Sequence, residues 1–158
     1  MKWLYGVLAV ALGVAFLGTP ASAGGCEDVQ RAVLEAPATY VVTVQVWIGE
    51  KEAYYERTRV RDGRAETLKK RESQEVSFRL DPSQPLAVPA CPSLVRVRPG
   101  VWEAREKVAE ISGERLLVYY LKGGRLVRLE TFEEGTVGIL FFKRTFRTRI
   151  VYDLGAGR

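Results

Sequence analysis

Histidine and asparagine are absent from the 158 residues, methionine occurs once and cysteine twice. Without histidine no Ser-His-Asp or Cys-His nucleophile can be assembled and no His-containing zinc site can form, and two cysteines cannot close a Cys₄ site. None of the six serines lies in a G-x-S-x-G elbow, and no glycine-rich phosphate cradle follows a strand and opens a helix. Carboxylates are plentiful, but nothing marks any two of them as a hydrolytic pair. The expectation is a non-enzyme with no catalytic residue, no metal and no cofactor.

Long apolar runs are scarce as well. The one candidate, Trp3 to Leu17, is broken only by Gly6 and Gly13 and stops before Gly18-Thr19-Pro20, short of the roughly 20 apolar residues a membrane span needs. It follows Lys2 and leads to the small residues Ala21-Ser22-Ala23, the pattern of a secretory signal peptide cleaved after Ala23. The expected organisation is a signal peptide over residues 1–23 and one β-rich domain over 24–158, with a periplasmic or secreted location and no transmembrane segment after cleavage. Cleavage removes Lys2 and no acid, leaving 23 basic against 19 acidic side chains.

In an oxidising compartment Cys26 and Cys91 are read as one disulfide. The competing reading makes Cys26 a lipid-modified N-terminal residue. Ala23-Gly24-Gly25 lacks the leucine usual before such a cysteine, and lipidation would strand Cys91 as a free thiol, so the disulfide is preferred. The depletion of Asn, Met and Gln beside abundant Arg and Glu is the composition of a thermophile protein.

Periodicity then divides the chain. Cys26 to Ala36 places Val29, Ala32, Val33 and Ala36 on one helical face, with Glu27 and Asp28 in its first turn and Pro37 as its stop. From Tyr40 the period becomes two: Tyr40, Val42, Val44, Val46 and Ile48 share one face, and Val41, Thr43, Gln45 and Trp47 the other. The next run, Glu52 to Arg61, sets Tyr54, Thr58 and Val60 against Tyr55, Arg57, Arg59 and Arg61, and Asp62-Gly63 is a strong hairpin signal. Further strands are expected at Arg64 to Arg71, Val76 to Leu80 and Leu94 to Arg98. The segment DPSQPLAVPACP, with four of the seven prolines, must be a loop pinned by Cys91. Val101 to Ile111 fits helix and strand equally. Glycines at 113, 123, 124 and 135 then separate strands at Arg115 to Leu121, Arg125 to Phe132, Thr136 to Lys143 and Thr145 to Leu154, with Glu133-Glu134-Gly135 read as a turn. The predicted fold is mainly β: a curved antiparallel sheet or half-barrel of about seven to nine strands with an N-terminal helix on one face.

The order of signal peptide, helix, Tyr-Val-Val-Thr-Val strand, V-R-D-G-R hairpin, proline-rich midsection and G-G-R-L-V-R-L-E hairpin resembles the bacterial periplasmic half-barrels of the LolA-like lipoprotein-carrier and RseB-like sensor group. The resemblance implies an incomplete barrel wrapped around a helix, with acyl chains held in its apolar hollow. The residues alone add that the strands carry more apolar surface than one short helix covers, so the sheet either closes on its own core or leaves a cavity. A carrier of a hydrophobic or lipid-like ligand would line that hollow with Val42, Val44, Val46, Tyr54, Phe78 and Tyr119.

The second signal is basic. Arg57, Arg59 and Arg61 line one strand face beside Tyr55, Arg96 and Arg98 another, and Lys143, Arg147 and Arg149 a third. Such rows could bind an anionic polymer or a partner protein of the cell envelope, or they could simply be solvated and paired across strands with Glu56, Glu66, Glu103, Glu106 or Glu130. The small charge excess argues against nucleic acid as the partner. Lys69-Lys70-Arg71 reads as a protected sheet edge.

Overall fold

The computed structural model describes residues 20–73, 81–108, 112–139 and 141–155. Helix α1 (Pro20–Leu34) leads into β1 (Thr39–Ile48), β2 (Lys51–Arg61) and β3 (Arg64–Glu72). After the proline segment come a single 3₁₀ turn at Cys91–Ser93 and the strands β4 (Leu94–Arg98), β5 (Val101–Val108), β6 (Ser112–Lys122), β7 (Arg125–Ile139) and β8 (Phe142–Asp153). All eight strands belong to one antiparallel sheet in the order β3-β2-β1-β8-β7-β6-β5-β4. The sheet is open, with β3 and β4 as its two edges.

Alternation decides which face each residue takes. Tyr40, Val42, Val44 and Val46 of β1 face the same side as Tyr54, Thr58 and Val60 of β2, across from Tyr152 and Ile150 of β8. The same face continues through Leu129 on β7, Leu117 and Tyr119 on β6 and Ala104 on β5, where α1 adds Val29, Ala32 and Val33. Tyr40 and Tyr152 meet edge to face with ring centroids 5.8 Å apart.

The proline segment closes this layer as the sequence implied. Cys26 and Cys91 are joined by a disulfide. Gln30 donates its amide to the Pro89 carbonyl (3.0 Å), and the Tyr119 hydroxyl donates to the Ala87 carbonyl (2.7 Å). The loop therefore satisfies polar groups of the helix and of the sheet centre that burial would otherwise orphan.

Several expectations need correction. The helix begins at Pro20 instead of Cys26, so Glu27 and Asp28 lie within its body, where Asp28 pairs with Arg31 (3.5 Å). Residues 101–108 are strand: Ala104 is drawn into the core opposite Leu117, which only a period of two allows. Gly135 makes no turn: β7 runs through it from Arg125 to Ile139 and takes in the start of the strand expected at Thr136 to Lys143, whose last residues, Phe142 and Lys143, belong to β8. Arg96 and Arg98 do not share a face, because the register shifts between them, and Arg96 lies over the Trp102 ring at 5.9 Å. The strand expected at Val76 to Leu80, and Phe78 with it, lies outside the described residues. Among the described residues no helix is long and apolar enough to cross a membrane.

Candidate functional site

Five of the six residues expected to line a hollow lie inside the sheet–helix layer. Val42, Val44, Val46, Tyr54 and Tyr119 are each 6% exposed or less and join one continuous core. Burial pushes the Tyr119 and Tyr54 hydroxyls well above the usual tyrosine range, helped in Tyr54 by its hydrogen bond to Glu56. Glu56 also accepts from the Thr58 hydroxyl at 2.8 Å, so this carboxylate serves two neighbours on its own strand and no arginine.

The opposite face of the sheet has a different chemistry. Pairing register places Tyr55, Gln45, Arg149, Phe132, Leu116 and Arg105 in one row across β2, β1, β8, β7, β6 and β5, and Trp47, Arg147, Glu134 and Glu114 in the next. Guanidinium groups lie over aromatic rings along this face: Arg71 over Tyr55 at 4.2 Å, and Arg147 over Trp47, Arg149 over Phe132 and Arg128 over Tyr120, each at 5.8 Å. Arginine stacks in this way because its planar, weakly hydrated cation fits the negative face of a ring.

Between β1 and β5 this face opens into a cleft of about 410 Å³. Half-buried Trp47, Leu116 and Phe132 supply apolar surface, and Arg105, Arg147 and Arg149 stand around it. Arg105 pairs with Glu114 at 4.0 Å, while Arg115 ties Glu133 (2.5 Å) to Glu106 (3.7 Å) and fixes the strands beneath. Next to the cleft Glu130 is 6% exposed and pairs with both Arg128 and Arg149, the second at 3.6 Å. Glu130 thus holds two guanidiniums together, and Asp153 stands directly across from Arg128 on β8.

Arg57, Arg59 and Arg61 lie on this face too, toward the β3 edge. Arg59 pairs with Glu66 at 3.8 Å, so part of the cross-strand pairing anticipated from sequence is formed. Two other clefts sit at opposite ends of the strands. One, of about 810 Å³, is lined by Ile48, Lys51, Lys143 and Arg144 among others, and one of about 630 Å³ lies where Ala32 of α1 and Ala36 just beyond it meet Leu126 and Leu154.

Among the described residues no group of three or more His, Cys, Asp or Glu side chains is placed to hold a metal. No family model, curated protein or solved structure matches the chain. Its function therefore has to be read from its own geometry. The sequence did not single out the cleft, because Trp47 lies far along the chain from the β6–β7 hairpin that carries Leu116 and Phe132, and only the β1–β8 and β7–β8 pairings bring them together. Arg147 and Arg149 on one face were the one local signal.

Proposed function

We propose that the protein is an exported, periplasmic or secreted binding module, without catalysis of its own, that carries a lipid-like ligand with an anionic head. The ligand's apolar body lies on Trp47, Leu116 and Phe132, and its head meets Arg105, Arg147 and Arg149. The observation that carries this reading is that half-exposed aromatic surface and stacked arginines share one cleft on the face turned away from α1. The cleft has the volume of a small-ligand site, with an apolar floor framed by arginines and by Glu114, Glu133 and Glu134. The core residues Val42, Val44, Val46, Tyr54 and Tyr119 would then act as the packed support of the sheet.

The test is a titration of the purified protein with dodecanoate and with dodecanol, read by Trp47 emission. Dodecanoate should give a saturable change that Trp47→Phe abolishes, and dodecanol a much weaker one. Arg147→Gln should weaken dodecanoate about tenfold, the worth of one charge-assisted hydrogen bond. No saturable response to either compound would sink the reading.

A further inference from the structure

The β2–β3 hairpin carries a feature that neither packing nor edge protection accounts for. Its register sets Arg57 directly opposite Lys69, and Arg61 directly opposite Arg64. Like charges directly opposite one another across an antiparallel pair destabilise it. All four side chains are exposed and point away from the face that α1 covers.

The acids nearby are already engaged or lie elsewhere. Glu66 pairs with Arg59, and Glu52 with Arg71 at 3.1 Å. Glu56 faces the core side with Tyr54 and Thr58, and Asp62 occupies the turn. Arg57, Arg61, Arg64 and Lys69 form no ion pair with another described residue. Lysine on the outer strand β3 would by itself be explained as a guard against edge pairing, but β2 is an inner strand and gains nothing of that kind from Arg57 and Arg61.

We propose that this hairpin face is a binding site for an extended phosphodiester polymer, separate from the cleft around Trp47. Arg57 and Arg61 stand four residues apart on β2, roughly 13.6 Å, with the Arg59–Glu66 pair between them, so the strand offers two unneutralised cations at a fixed separation to a chain with regularly repeated anions. A phosphate oxygen bound between Arg57 and Lys69, or between Arg61 and Arg64, converts each repulsive pair into a bridged one. The site reads charge and not bases. Among the described residues its one aromatic ring is Tyr55, already covered by Arg71 at 4.2 Å with Lys69 at 6.0 Å, so that ring is no open platform for base stacking.

The experiment measures binding of the purified protein to labelled oligo(dT), to an abasic oligonucleotide of the same length and to polygalacturonate, over a range of salt. Oligo(dT) and the abasic chain should bind alike and polygalacturonate much more weakly. Arg57→Gln with Arg61→Gln should lower the slope of log affinity against log salt by about 1.4, about 0.7 for each phosphate no longer neutralised. The same double variant should leave the denaturation midpoint unchanged or raise it, since repulsion is relieved. Arg31→Gln with Lys107→Gln, which removes equal charge from α1 and β5 at positions that face an acid, Asp28 and Glu114, should leave binding as it was. Equal binding of polygalacturonate, a strong preference for oligo(dT) over the abasic chain, an unaltered salt slope or a lowered midpoint in the Arg57/Arg61 variant would each overturn the proposal.

Discussion

Gly113 faces Gly135 across β6 and β7, and a Cβ placed on Gly113 would collide with the Glu134 carbonyl oxygen. The two backbones approach too closely there for any side chain on Gly113, and the obstacle is main chain that cannot rotate aside. Gly113→Ala should therefore part the strands locally and cost about 1–3 kcal/mol, read as a lower midpoint in chemical denaturation. An unchanged midpoint would mean that β6 and β7 separate at that point without penalty.

The disulfide makes a second prediction. Cys26 and Cys91 are separated by 65 positions, and a closed loop of that size is worth about 4 kcal/mol on the chain-entropy model. Intact mass with and without reductant should differ by two hydrogens with no acyl addition, and reduction should lower the thermal midpoint. Acyl mass on Cys26 would contradict the bond and put the protein on a membrane.

Alkaline pH should unfold the protein early. Burial raises the hydroxyl pKa of Tyr40, Tyr54, Tyr119 and Tyr152 above the free value of 10.0. A group whose folded pKa lies above its unfolded value contributes stability that is complete below the unfolded pKa and is lost as pH rises toward the folded one. Stability should thus be flat up to about pH 9 and fall from about pH 10 upward. Absorbance at the tyrosinate band should show these four ionising only as the fold is lost; smooth titration near pH 10 in the folded protein would refute the assignment.

Removing the charge of Glu130 should be costly for the opposite reason. Glu130→Gln takes from Arg128 and Arg149 the buried carboxylate they share, with an expected loss of about 2 kcal/mol, less than for a fully buried pair because both arginines reach solvent. The loss should grow at low salt and shrink at high salt, which denaturation at two ionic strengths would reveal.

Most of the sheet was legible from alternation. The faces assigned to Tyr40 through Val46, and to Tyr54 against Arg57, hold because a strand with one buried side tolerates no slip of register. The Asp62-Gly63 turn was equally plain, and both residues adopt positive φ, 50° and 77°. Gly135 misled because glycine marks turns and close backbone approaches alike, and only its partner Gly113 distinguishes the two. The ambiguity at 101–108 had a similar source: Ala104 and Val108 satisfy both periods, Val101 joining them on a helical face and Trp102 on a strand face, and pairing of Ala104 with Leu117 on β6 decides between them. The Trp47 cleft was out of reach, since a local pattern holds no information on which distant strands become neighbours.

Chain topology turns the sheet into two zippers that share one seam. Strands β1 to β3 close over short turns, as do β4 to β8, and the two sets meet only where β1 pairs with β8. That seam brings together residues about a hundred positions apart, such as Val44 and Ile150, so loop-closure entropy makes its formation the slow step of assembly. The disulfide crosses the same divide, with Cys26 on one side and Cys91 on the other. A molecule cut between Ser73 and Asp81 would consequently keep its two pieces linked while oxidised, and a reductant would leave the β1–β8 ladder, with the Gly49–Thr145 bond at its end, as the main-chain pairing among the described residues that holds them together.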